Sequence, residues 1–142
     1  MKKITLCFLA MIFCNASLAQ SNLSLRCVFD VGTNANFQEK TVEAEKAKGS
    51  TLPPIIFDQI DTLSGTARMI GNAGAETVTA LSRSNSIHLV ELTASGNLNV
   101  TTVFNTNDSN SSFDYPVVHS RHIDLSGGPL PSQYYGFCKK LN

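Results

Sequence analysis

The segment ETVTALSRSNSIHLVELTASGNLNVTTVF, residues 76–104, alternates apolar and polar residues through three runs separated by SN (84–85) and ASGN (94–97). Side chains on an extended chain point to opposite faces in turn, so a period of two marks a strand, whereas a helix face needs recurrence every three or four residues. Ser, Asn and Gly between such runs supply turn chemistry. The segment therefore predicts three consecutive antiparallel strands.

The same pattern recurs outward in both directions, in SLRCVFDV (24–31), PIIFDQI (54–60), TARMIG (66–71), YPVVHSRHI (115–123) and QYYGFC (133–138). Short strands at such close spacing predict an all-β domain, a single small antiparallel barrel or sandwich of about seven to eight strands. One segment departs from the pattern. In NFQEKTVEAEKAKG (36–49), Asn36 with Glu39 three residues later, Lys46, Lys48 and a closing Gly49 imitate a capped helix. Its apolar residues form no good stripe, so it reads as a short surface helix or a solvated edge segment.

The N-terminus MKKITLCFLAMIFCNASLAQ has two lysines, an apolar run too short to span a bilayer, and small residues ending at Ala19. This is the layout of a secretory signal peptide of bacterial type. The expected organisation is a cleaved leader, 1–19, and one domain, 20–142, exported to the periplasm or the cell exterior. Losing Lys2 and Lys3 leaves nine basic against eleven acidic side chains. With no basic patch, nucleic acid and anionic lipid are not expected as partners. No membrane span is expected after cleavage. An outer-membrane barrel is disfavoured by the short strands and by Arg68, Glu76 and Arg83 at positions read as outward.

Cys7 and Cys14 fall in the leader, which leaves Cys27 and Cys138 near the two ends of the domain. In an oxidising compartment such a pair predicts a disulfide, here tying the first strand to the last. The loop it closes would stabilise the fold by roughly 4–5 kcal/mol on the chain-entropy account.

The segment VVHSRHIDL (117–125) concentrates chemistry-bearing residues. On a strand, His119 and Arg121 share one face while Ser120, His122 and Asp124 share the other. The histidines then stand back to back, and a zinc site on one strand would want His-x-His instead. Ser120, His122 and Asp124 run parallel, about 7 Å apart at successive positions, too far for a relay that needs contacts near 3 Å. Residues from another strand, His88 and Glu91, would have to complete any catalytic set. Neither a catalytic residue nor a metal or other cofactor is expected. The structural alternative is a polar network in which Arg121 holds Asp58 or Asp61 and the neighbouring His122 and Ser120 bond the following loop. Calcium binding around Asp108 in NTNDSNSS lacks regular ligand spacing.

In PSQYYGFC, one of Tyr134 and Tyr135 must face inward and the other outward, and an outward tyrosine beside Gln133 suits recognition. The expected function is a non-catalytic binding or inhibitor module with Arg121, His119, His122, Gln133, Tyr134 and Tyr135 as contact residues. Its partner would be another envelope or extracellular protein, or a small ligand. The competing readings are a small-molecule carrier barrel, and a hydrolase or metal enzyme using the 119–124 region.

Overall fold

A computed structural model describes residues 23–38, 40–47, 52–72, 74–107 and 114–141. The expected leader, Asp108 and its neighbours in 108–113 lie outside the described residues. Among the described residues eleven strands follow one another: β1 Leu23–Gln38, β2 Thr41–Lys46, β3 Ile55–Asp61, β4 Thr66–Gly71, β5 Gly74–Arg83, β6 Ser86–Leu92, β7 Leu98–Phe104, β8 Tyr115–His122, β9 Asp124–Leu125, β10 Gly128–Pro129 and β11 Ser132–Lys140. Eight of them form an antiparallel meander in the order β1, β3, β4, β5, β6, β7, β8, β11, and β11 pairs back onto β1. The sheet is thus a closed eight-stranded barrel, not a sandwich, and closure satisfies backbone groups that an open sheet would leave at its two edges.

Two elements decorate one end of the ring. β1 runs beyond the barrel, and its overhang pairs with β2 through Thr33↔Lys46 to Gln38↔Thr41. The capped helix considered for 36–49 is therefore not what forms. Phe37, Val42 and Ala44 make no helical stripe, whereas an extended conformation pairs this segment with the β1 overhang. All six residues of β2 are exposed, as befits a solvated edge. The β9–β10 ribbon, between β8 and β11, rises at the same end.

The interior is filled from the opposite end upward by Leu25, Phe29, Phe57, Leu89 and Val103, each almost fully buried. Strict alternation fails at two places, and both are bulges. In β1 the register with β11 shifts between Phe29 and Val31, so Phe29 and Gly32 are both buried. In β3 the register shifts between Asp58 and Asp61, where Gln59 adopts a left-handed φ of 50° and Ile60 turns inward after Phe57. An extra residue in one strand redirects the next side chain, and bulges of this kind let a small barrel bend.

Cys27 and Cys138 are cross-strand partners on β1 and β11, fully buried and joined by a disulfide. The first and last strands of the barrel are thus joined covalently as well as by their ladder. Two residues before Cys138 on β11, Gly136 lies opposite Phe29. A Cβ there would fall 1.9 Å from the Val28 carbonyl oxygen, so only glycine lets the two strands approach.

Candidate functional site

At the decorated end the packed interior stops short of the rim. A cleft of about 260 Å³ opens there, between the segment leading into β3, the β4–β5 turn, and the facing ends of β6, β7 and β8. Leu52, Ile55 and Met69 give it an apolar wall, and Glu76, Glu91, Asn99 and His119 bring polar groups to it. Register explains the convergence. Glu91 pairs with Asn99, and Asn99 with Arg121, one step nearer the rim than the row Leu89, Thr101, His119, Tyr134. Inward positions that are apolar lower in the barrel thus turn polar at its mouth.

His119 is 3% exposed, with its Nδ1 2.7 Å from the Thr101 hydroxyl and its ring 5.6 Å from Phe29 and 6.4 Å from Tyr134, centre to centre. Burial among these groups, helped by the Arg121 charge, pushes its pKa down to about 4. The imidazole is accordingly neutral near pH 7. Asn99 donates from Nδ2 to a Glu91 carboxylate oxygen. A carboxylate accepts and does not donate, so this bond fixes which way the amide points. Asn99 Oδ1 then faces away from Glu91, buried and with no hydrogen-bond partner among the described residues. Asn99 borders the cleft, but this oxygen is itself closed off from it.

No family model, no curated protein and no solved structure matches the chain. The functional reading therefore stands on geometry.

The residues singled out in 117–135 divide between the two sides of the wall. His119 and Tyr134 are buried, whereas His122, Gln133 and Tyr135 are exposed on the outside. Arg121 shares the inward face with His119, half-buried at the rim. The network expected to join Arg121 to Asp58 or Asp61 does not form. Asp58 accepts two hydrogen bonds from Arg68, its register partner on β4, and these hold its carboxyl below the usual range. Asp61 accepts from the backbone N–H groups of Leu63 and Ser64. Arg121 makes no ion pair among the described residues.

Nor does Ser120 bond the following loop, since its hydroxyl accepts from Gln133 Nε2, and Gln133 Oε1 accepts from the Tyr135 hydroxyl. His88 lies outside against Thr102 while its strand neighbour Glu91 lines the cleft, so the pair offered to complete a catalytic set is split by the wall. No group of three or more His, Cys, Asp or Glu side chains able to hold a metal occurs among the described residues. Glu76 also needs correcting: its parity is that of Val78 and Ala80, so it belongs to the inner face and borders the cleft.

A second surface lies on the outer wall of β1, β11, β8 and β7. Val31, Phe104, Tyr135 and Phe137 are exposed there around a shallow depression that includes Pro116 and Val118.

Proposed function

We propose that the protein is an exported, non-catalytic binding module whose site is the cleft at the barrel mouth. The observation that carries this reading is the cleft itself, in which an apolar wall of Leu52, Ile55 and Met69 meets the polar residues Glu76, Glu91, Asn99 and His119. Small-molecule sites are concave and mostly apolar, with a few convergent polar groups. The interior below is occupied by the buried side chains of Leu25, Phe29, Phe57, Leu89 and Val103, which supports binding at the rim. Export is supported by the lysine-led apolar N-terminus and by the Cys27–Cys138 disulfide, which persists in oxidising compartments. Mass spectrometry of the protein from its own cells should find a mature N-terminus at Gln20.

A fragment screen read by methyl NMR tests the site. Hits should shift Leu52, Ile55 and Met69, and Met69→Trp, which fills the cleft, should abolish them in a folded protein. Hits scattered over the surface, or indifferent to Met69→Trp, would count against the proposal.

The outer patch of Val31, Phe104, Tyr135 and Phe137 favours a second reading, contact with another protein, because contiguous exposed apolar area marks interaction surfaces. Under that reading Phe137→Asp abolishes a specific association in solution, and an association unaffected by the substitution discards it.

A further inference from the structure

We propose that the mouth cleft takes a small organic cation, an ammonium or similar donor-rich head on a short apolar body. This inference rests on the cleft being the binding site and names the chemistry that fits it.

The charged side chains that line the cleft among the described residues are carboxylates. They come from Glu76 and Glu91, and Glu91 is held in place by the Asn99 amide, which donates to it. Among the described residues no lysine or arginine lines the cleft, and the basic side chain that does, His119, is buried and uncharged near neutral pH. An anionic ligand would meet two like charges. A neutral apolar ligand would take water from the carboxylates without giving them a donor. A head with several N–H donors answers both, bonding a carboxylate oxygen while its charge is matched by the two carboxylates.

The apolar wall sets the rest of the ligand. Leu52, Ile55 and Met69 offer contact to a chain or ring, and methionine adapts to irregular shapes. A volume of about 260 Å³ is smaller than the roughly 300–1,000 Å³ of drug-sized sites, so the ligand is small. Arg121, on the inner face, is in register with Asn99 but is not part of the lining.

The test uses three probes with one skeleton: hexylammonium, hexanol and hexanoate, each titrated into the mature protein at pH 7 and low salt. The readout is the methyl resonances of Leu52, Ile55 and Met69. Hexylammonium should bind about tenfold tighter than the other two, and Glu91→Gln, which keeps shape and the bond from Asn99, should weaken it by a similar factor. Glu76→Gln at the exposed rim gives a second, smaller loss and covers the case in which Glu91→Gln fails to fold. If hexanoate or hexanol binds at the cleft as well as hexylammonium, the cationic class is overturned and the cleft remains a site. If none of the three shifts the cleft methyls at millimolar concentration, both proposals fall.

Discussion

His119 Nδ1 and the Thr101 hydroxyl, cross-strand partners on β8 and β7, lie 2.7 Å apart inside the barrel. The histidine is uncharged there, and its pKa is near 4 against an ordinary 6.5. Between those two values the unfolded chain binds a proton that the folded one refuses. The stabilisation is therefore complete above pH 6.5, is lost as pH falls toward 4, and changes no further below. A shift of this size corresponds to on the order of 3 kcal/mol. His119→Gln removes the titration, so its melting temperature should fall less than that of the wild type between pH 6.5 and 4. An NMR titration placing the His119 midpoint near 6.5 would remove the basis for this expectation.

Gly136 makes a sharper stability prediction. Its missing Cβ is replaced by the Val28 backbone, which cannot turn aside as a side chain can. Gly136→Ala should cost about 3 kcal/mol or more, at or beyond the upper end for overpacking, and should also disturb the adjacent bulge in β1. Gly127 has nothing within 4 Å of its virtual Cβ, so Gly127→Ala serves as the control with little effect. Equal urea midpoints for the two variants would contradict the packing argument.

The disulfide spans 111 residues of sequence, so its removal frees the unfolded chain considerably. Cys27→Ala/Cys138→Ala should lose roughly 2–5 kcal/mol, seen as a melting temperature lower by roughly 10 °C. Identical thermal unfolding of the oxidised and double-substituted proteins would show that the ladder between β1 and β11 suffices alone.

Much of the barrel was legible because its strands obey a period of two. The parity of Ile87 and Leu89, of Thr101 and Val103, and of Val117 and His119 gives the inner face directly. The two cysteines give the closure. What could not be read is where the parity slips. Nothing in the sequence announces a left-handed Gln59, yet that residue decides that Ile60 faces inward. Partner choice was equally hidden: Asp58 meets Arg68 and not Arg121 because register sets them opposite each other on adjacent strands.

The cleft was missed for a related reason. Its polar groups come from β5, β6, β7 and β8, and only the strand order and register bring them together. One signal was available. Counting back from Val103 and Thr101 puts the polar Asn99 on the inner face, where an apolar residue would be the simple choice.

That choice yields the last prediction. Asn99→Leu removes the orphan acceptor but also strips Glu91 of its donor, so the single substitution should destabilise the protein by about 1–3 kcal/mol. Glu91→Leu/Asn99→Leu removes both polar partners, and paired replacement by apolar groups of similar size is close to neutral or stabilising. The double variant should therefore melt at or above the wild-type temperature while losing cleft binding. That combination identifies the Glu91–Asn99 pair as kept for binding at some expense of stability, as functional sites commonly are. A double variant less stable than Asn99→Leu would show instead that the pair holds β6 and β7 together.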